Sequence, residues 1–311
     1  TGNGSEDNGA GLYLRDTTST ITNCTFTSNG AADLGGGIYA IHGSTTLINT
    51  TIEHNTCQYG GGIFISNGLL TMESCLVTDN EVSKEGGGIY AMVSSLQFTG
   101  TDLTLNASSQ HGGGILITDD CDGLLTNCTF ANNSTGDAGG GIHCSVGSSP
   151  ELDGCTFHGN GAFEGGGMYV NSECSPTLEN CIFTGNSSHR MGGGLMLTNQ
   201  TTGTISNCEF TSNITSYFGG GLFCAIESSP DIKSSTFHSN IALDGGAIAM
   251  SDRCSPSLDE CTFTGNGAYG SGGAIDCRDS SYPTITRCIL TENTAAVFGA
   301  RSYGTIMGSM A

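Results

Sequence analysis

The chain contains 311 residues, with 50 glycines, 15 cysteines and five prolines, and tryptophan is absent. So much glycine without frequent proline does not indicate collagen, and a hydrophobic share of 36% argues against intrinsic disorder. The formal net charge of −21 argues against binding to nucleic acid or anionic membranes, and no apolar run reaches the roughly 18 residues needed for membrane insertion.

The first predicted element begins a repeat that continues along the whole chain. The segment Cys24–Asn29, with the sequence CTFTSN, returns in closely related form as Cys128–Asn133, Cys155–Asn160 and Cys261–Asn266. Its last residue recurs every 25 to 27 residues. The twelve asparagines are Asn3, Asn29, Asn55, Asn80, Asn106, Asn133, Asn160, Asn186, Asn213, Asn240, Asn266 and Asn293. Such regularity indicates a stack of structural repeats, with these residues forming an internal ladder of amides.

Two further apolar stretches follow in each repeat. One is a glycine-rich segment, such as Gly35–Ile38 or Gly139–Ile142, and the next contains a single apolar residue, such as Leu47 or Leu152. Side chains alternate with a period of two, as Cys24 and Phe26 do, which is typical of strands. The chain is therefore predicted to be all-β: a right-handed parallel β-helix of about twelve rungs, each of 25 to 27 residues with three short strands.

The repeats resemble those of the chlamydial polymorphic outer-membrane proteins, a family marked by Phe-x-x-Asn and Gly-Gly-Ala-Ile motifs. Phe26–Asn29 and Phe263–Asn266 match the first motif, while Gly245–Ile248 and Gly272–Ile275 match the second. This resemblance covers essentially the whole chain. It implies a right-handed β-helical passenger at the cell surface, with adhesive or structural roles.

The cysteines fall into two predicted sets. Eight share one inward column: Cys24, Cys75, Cys128, Cys155, Cys181, Cys208, Cys261 and Cys288. They are interpreted as small residues of the core, and the alternative is that some form disulfides with their neighbours along the column. The second set lies at a corner, where cross-rung disulfides are predicted to join Cys144 to Cys121 or Cys174, and Cys254 to Cys224 or Cys277. Since fifteen is odd, at least one thiol is free or pairs outside the chain.

Ten Asn-x-Ser/Thr sequons accompany the cysteines, and together they favour an extracellular or cell-surface location. Half of these sequons fall on the predicted internal ladder, where an amide cannot carry a glycan. The preferred glycosylation sites are Asn23, Asn49, Asn127, Asn132 and Asn199.

Signals for catalysis are few. Asp119, Asp120 and Asp122 form the densest acidic group and are a weak candidate for Ca²⁺, although a solvated loop is the favoured interpretation. The eight basic residues are scattered, so a pectate-lyase-like enzyme that degrades polysaccharides ranks third among the functions. No other cofactor is expected.

An outward column of aromatic residues follows the glycine-rich segments: Tyr13, Tyr39, Phe64 and Tyr90. It is interpreted either as a stabilising ring stack or as a flat platform that binds sugars or a protein. The platform supports the second-ranked function, a surface adhesin that recognises glycans or receptors.

The chain is expected to form one domain over residues 1–311, open at both ends, as a segment of a longer solenoid or as the protomer of a filament. Open rungs carry unpaired strand edges, which predicts head-to-tail self-association. The first-ranked function is therefore a non-enzymatic extracellular scaffold or filament subunit.

Overall fold

The computed structural model describes residues 2–296, which form a single parallel β-helix. Each turn contains four strands, one in each of four parallel sheets that we name A to D in chain order. There are eleven complete turns, and sheet A has one further strand. The predicted all-β solenoid is confirmed, with a turn count close to the twelve expected.

The strands of sheet A are Gly4–Ser5, Gly30–Ala31, Thr56–Tyr59, Glu81–Glu85, Ala107–Ser108, Ser134–Thr135, Gly161–Glu164, Ser187–Met191, Ile214–Thr215, Ile241–Ala242, Gly267–Ala268 and Thr294–Ala295. Those of sheet B are Leu12–Arg15, Ile38–Ile41, Ile63–Ser66, Ile89–Met92, Ile115–Thr118, Ile142–Cys144, Met168–Val170, Leu195–Leu197, Leu222–Cys224, Ile248–Met250 and Ile275–Cys277.

The strands of sheet C are Thr18–Thr22, Ser44–Ile48, Leu69–Glu73, Ser95–Thr99, Asp122–Thr126, Glu151–Asp153, Thr177–Glu179, Thr204–Ser206, Asp231–Lys233, Ser257–Asp259 and Thr284–Thr286. Those of sheet D are Thr25–Thr27, Thr51–Glu53, Leu76–Thr78, Asp102–Thr104, Thr129–Ala131, Thr156–His158, Ile182–Thr184, Glu209–Thr211, Thr236–His238, Thr262–Thr264 and Ile289–Thr291.

Sheet A corrects the prediction of three strands per rung. Many of its strands contain only two residues, such as Gly30–Ala31 and Ser134–Thr135. A pair of residues is too short to produce a hydrophobic alternation in the sequence. These residues nevertheless pair in parallel with their equivalents one turn away, as Gly4 does with Gly30.

The glycine-rich segments turn the chain from sheet A to sheet B, where the backbones of successive turns approach closely. Gly139 has a φ of 75°, which favours glycine. At the next residue, Gly140, a Cβ atom would lie 2.4 Å from the carbonyl oxygen of Gly166 in the following turn. Larger residues would therefore force the turns apart at this corner.

One continuous apolar core fills the inside of the helix. Sheet D contributes a column of phenylalanines whose rings stack at centroid distances between 4.4 and 5.0 Å. Its members are Phe130, Phe157, Phe183, Phe210, Phe237 and Phe263, and all are fully buried. Stacked rings of this kind hold successive turns in register as well as filling the core.

Candidate functional site

The twelve asparagines that mark the repeat form one ladder along the corner between sheets D and A. In the middle of the ladder, the Asn160 Nδ2 donates to the Asn186 Oδ1 at 2.9 Å and to the carbonyl oxygen of Phe130 at 2.8 Å. The backbone N–H of Asn160 donates to the same Asn186 Oδ1, at 3.0 Å. Asn160 is completely buried, and its amide is fully satisfied by these contacts and by those it receives from Asn133.

The predicted aromatic column forms a stack on the outer face of sheet B. Ring centroids lie 4.9 Å apart for Tyr13 and Tyr39, 5.4 Å for Tyr39 and Phe64, and 5.3 Å for Phe64 and Tyr90. The stack runs along the rod, so each ring face lies against the next ring. This arrangement has the form of the stabilising stack.

The platform interpretation needs a correction, because most of these rings are covered. Tyr13 is 48% exposed, but Tyr39 is only 8% exposed and Phe64 only 6%. Tyr59, from the neighbouring corner, packs edge-on against Tyr90 at 5.8 Å, and the Lys84 Nζ donates to the Tyr59 hydroxyl at 2.9 Å. Burial raises the pKa of the Tyr90 hydroxyl to about 12. The rings of Tyr39 and Phe64 are therefore not available as a flat platform for a sugar ring.

The same outer face continues into a second small core. Met196, Phe223 and Ala249 are buried there under Phe218, at the corner between sheets A and B. Arg278 lies over the Phe218 ring, 5.0 Å from its centroid, and forms ion pairs with Asp244 and Asp276. The ion pairs of Arg278 with Asp244 and Asp276 therefore form a structural network at the end of this core.

Two histidines lie between the aromatic stack and the second core. His143 is buried, and its ring lies 4.6 Å from that of His111 and 4.9 Å from that of Tyr169. Burial, followed by the proximity of His111, lowers the pKa of His143 to about 3. The two carboxylates beside His111 are those of Glu85 at 3.8 Å and Asp137 at 3.7 Å.

An exposed row of larger side chains runs along the corner between sheets A and B in five consecutive turns. Its members are Phe163, His189, Tyr217, Leu243 and Tyr269. Tyr217 is 46% exposed and Tyr269 63%. Phe163 and His189 pack together at a centroid distance of 5.3 Å. We name this set the corner row. Sequence reasoning missed it because the spacing varies and because residues of different types share the column.

All fifteen cysteines lie within the described residues, and all are free thiols, so none of the predicted disulfides is present in the structure. Of the alternatives for Cys144, the structure brings Cys174 into hydrogen-bond contact with it. Cys254 similarly meets Cys224. In the core column, Cys128, Cys155, Cys181 and Cys208 form an uninterrupted row of buried sulfurs.

Comparison with known families agrees with this architecture. A family model described as "Right handed beta helix region" matches residues 10–162, 95–263 and 184–307. The chain belongs to the right-handed β-helix family.

This right-handed β-helix has no match among curated proteins. Among solved structures it is similar to one described as "TibC-catalyzed hyper-glycosylated TibA55-350 fragment". The two share 14% sequence identity over 93% of this chain and 98% of the other, with a TM-score of 0.17.

The acidic group of the β-helix is not assembled as a metal site. Asp119 and Asp120 lie in the corner between sheets B and C, and Asp122 begins the next strand. Among residues 2–296, no three His, Cys, Asp or Glu side chains converge in a way that could hold a metal ion. Proximity in the sequence does not bring these carboxylates together, because successive residues of a tight corner point in different directions.

The five preferred sequon asparagines of the β-helix, Asn23, Asn49, Asn127, Asn132 and Asn199, are all exposed. Each has a positive φ, between 47° and 57°, which places it at a corner. Of the ladder sequons, Asn106, Asn133, Asn186 and Asn213 are completely buried, whereas Asn3, in the first turn, is exposed. Within the described part of the chain, no helix has the length and hydropathy required to cross a membrane.

Proposed function

We propose that this β-helix is a non-catalytic structural scaffold that acts outside the cell or at its surface. The observation that carries the proposal is the continuity of its columns, since the asparagine ladder runs without interruption from Asn3 to Asn293. Each turn of a solenoid contacts only its neighbours. A ladder that links every pair of turns, together with four sheets, therefore makes a straight and stiff rod about 50 Å long.

The exposed sequons support an extracellular location. Asn23, Asn49 and Asn127 occupy the same corner in different turns, directly before the inward cysteine column. Glycans at this corner would project away from the rod without disturbing its core. Production in a glycosylating host, followed by glycopeptide mapping, tests this. Glycans are expected at the exposed corners but not at buried ladder positions such as Asn186. A fully unmodified chain would contradict the extracellular location.

We propose that the partner of this scaffold is another copy of the same chain, bound head to tail. Leu290, in the last described strand of sheet D, is 47% exposed, whereas Phe263, its equivalent one turn earlier, is fully buried. Ile289 is also exposed, at 58%. A further turn, from the same polypeptide or from another copy, would cover these apolar side chains and pair the strand edge.

Electron microscopy of the purified chain at micromolar concentration is the experiment that tests the scaffold. Filaments with an axial repeat close to the length of one rod would support head-to-tail assembly. Rods that stay single across a concentration series would overturn the assembly. The scaffold itself would be overturned if the chain depolymerised a polysaccharide, measured for acidic polysaccharides as unsaturated uronide absorbance.

A surface adhesin is the second candidate, and the corner row favours it. The residues of this row are exposed on consecutive turns, and large exposed apolar surfaces usually have binding partners. The resemblance to the chlamydial passengers points in the same direction. Binding to glycan and host-cell arrays should fall at least tenfold in the variant Tyr217→Ser/Tyr269→Ser. Tyr282→Ser is the matched control, because Tyr282 is 73% exposed and lies outside the row.

A further inference from the structure

Two pairs of cysteines meet across neighbouring turns in the second half of the rod. Cys144 is the last residue of its strand in sheet B, and its register partner in the next turn is Val170. Cys174 lies four residues beyond Val170, in the corner that leads to sheet C. The arrangement recurs three turns later, where Cys224 is opposite Met250 and Cys254 lies four residues further on.

All four sulfurs occupy the interior of this corner. Each of the four residues has an exposed fraction of 0%. The Cys144 Sγ lies 3.4 Å from the carbonyl oxygen of Ser148, and the Cys224 Sγ lies 3.1 Å from that of Ser228. The two pairs therefore share one environment, in which a serine carbonyl oxygen lies beside the first cysteine of each pair.

The contact within each pair favours thiol chemistry. The Cys144 and Cys174 thiols are in contact, and this contact lowers the pKa of the Cys174 thiol. The Cys224 thiol lowers the pKa of the Cys254 thiol in the same way. The two sulfurs of each pair therefore lie in contact across neighbouring turns.

The core column of cysteines offers a contrast within the same molecule. Cys128 and Cys155 are also in contact, but they occupy equivalent positions in successive turns, so their side chains run parallel at the strand separation of about 4.8 Å. A disulfide requires Cβ atoms roughly 3.5–4.5 Å apart, with side chains that converge. Cys144 and Cys174 come from different positions of their turns, so the strand separation does not fix the distance between their Cβ atoms.

We infer that Cys144–Cys174 and Cys224–Cys254 close as two cross-rung disulfides when the chain folds in the presence of a small disulfide of the glutathione class. One thiolate of each pair attacks one sulfur of the small disulfide and releases the first small thiolate. The partner thiolate then attacks the cysteine sulfur of the mixed disulfide and releases the second. Each pair loses two protons and two electrons, and the small disulfide is reduced to two thiols. Since all four residues are buried in the folded chain, the exchange takes place while the corner is still open.

The remaining corner cysteines do not share this geometry. Cys121 occupies the same position as Cys174 in its own turn, but the preceding turn presents Ala91 opposite Ile117, where a cysteine would be needed. Cys277 corresponds to Cys144, and its partner position falls outside the described residues. Cys121 is therefore the natural control.

The test is to refold the whole chain in a glutathione redox buffer, alkylate the remaining thiols under denaturing conditions and map the peptides by mass spectrometry. Linked peptides containing Cys144 with Cys174 and Cys224 with Cys254 are expected, with every other cysteine alkylated. Alkylation of these four to the same extent as Cys121, or links between core cysteines such as Cys128 and Cys155, would overturn the inference.

Thermal unfolding gives a second readout. Reductant should lower the Tm of the refolded chain by on the order of 5 °C per pair. The variant Cys144→Ser/Cys174→Ser should lose about half of this difference, and Cys121→Ser should lose none. If the double variant does not fold, peptide mapping of the unaltered chain still decides the matter. A Tm that reductant leaves unchanged, together with unlinked peptides, would reject both bonds.

Discussion

The two halves of the rod close the same corner, between sheets B and C, in different ways. In the first half the strands are long and the corner is short, as between Ile38–Ile41 and Ser44–Ile48, which two residues connect. In the second half the strands contain three residues and the corner is longer, as between Ile142–Cys144 and Glu151–Asp153. The length of the turn hardly changes, so residues have moved out of the strands and into the corner.

Proline precedes the short sheet C strand in five of the six turns that have the longer corner, and Gly203 takes its place before Thr204–Ser206. All five prolines lie in the longer corners, directly before a strand of sheet C, as Pro150 does before Glu151. Proline has no backbone N–H and cannot donate to the next turn. Serine side chains of the long corners add acceptors to the backbone bonds between turns. The Ser148 Oγ accepts the backbone N–H of Cys121 at 3.1 Å, and the Ser228 Oγ accepts that of Thr201 at 3.1 Å.

The core differs between the halves as well. Sheet D contributes Ile52, Val77 and Leu103 to the core of the first half, and then the stack of phenylalanines from Phe130 onward. A solenoid can therefore change both its core and its corner while the asparagine ladder continues unchanged. The comparison teaches that the ladder is the common frame and that the other columns vary around it.

The largest expected effect tests whether the ladder is common to both halves. Asn55→Ala and Asn160→Ala should each lower the free energy of unfolding by about 5 kcal/mol, because each leaves several buried donors and acceptors without partners. Chemical denaturation measures the loss. Asn180→Ala, at an exposed corner, should cost less than about 1 kcal/mol. Very different losses for Asn55 and Asn160 would mean that the halves do not share one frame.

The second prediction concerns the phenylalanine stack. Phe183→Ala should cost about 4 kcal/mol, since it removes a fully buried ring that stacks on both neighbours at 4.4 and 4.7 Å. Leu103→Ala, in the same column of the first half, should cost about 3 kcal/mol. Phe183→Leu gives the second half the residue type of the first and should restore most of the loss. If Phe183→Leu were as damaging as Phe183→Ala, the ring stacking itself would be required.

How much of this could be predicted from the sequence differs from column to column. The repeat length and the inward asparagines could be predicted, because one residue type recurs at one position in every turn. The fourth strand was not readable, since two residues such as Gly30 and Ala31 carry no periodicity. The covering of Tyr90 depends on Tyr59, which belongs to a different corner, packs on the aromatic stack only in three dimensions and receives a hydrogen bond from Lys84.

The cysteine pairs illustrate the same limit. Sequence spacing placed Cys144 near both Cys121 and Cys174, because a cysteine stands in the corner on each side. The choice between them depends on the register of a long corner that contains no strand. Side chains in such a corner do not alternate between inside and outside, so neither spacing nor periodicity can assign them.

The third prediction uses His143, which lies at the boundary between the two halves. Its pKa is lowered from 6.5 to about 3 in the folded chain, by burial and by the nearby His111. The unfolded chain therefore takes up a proton below about pH 6.5, whereas the folded chain does so only near pH 3. Stability should stay level above pH 6.5 and fall progressively as the pH drops toward 3, by about 3 kcal/mol at pH 4.

The variant His143→Phe isolates this contribution, since a phenyl ring continues the column between Leu116 and Tyr169. Its stability should depend less on pH between 6.5 and 4 than that of the unaltered chain, when both are followed by urea denaturation. Glu85 and Asp137 face His111 and remain unchanged in the variant. An identical pH profile for the two proteins would assign the acid sensitivity to such carboxylates instead.

The smallest predicted effect addresses the long corner itself. Ser228 is fully buried and accepts the N–H of Thr201, so Ser228→Ala should cost about 1.5 kcal/mol by leaving that donor without a partner. Ser228→Cys should cost less, because the same column accommodates cysteine at Cys174 and Cys254, whose sulfurs receive backbone N–H groups. Thr20→Ala, exposed on sheet C of the first half, should change stability by less than about 0.5 kcal/mol. Hydrogen exchange of the Thr201 amide gives the local readout. Faster exchange in Ser228→Ala alone would establish that the serine side chain holds this backbone N–H between turns. Unchanged exchange would mean that the longer corner closes without the side-chain bond.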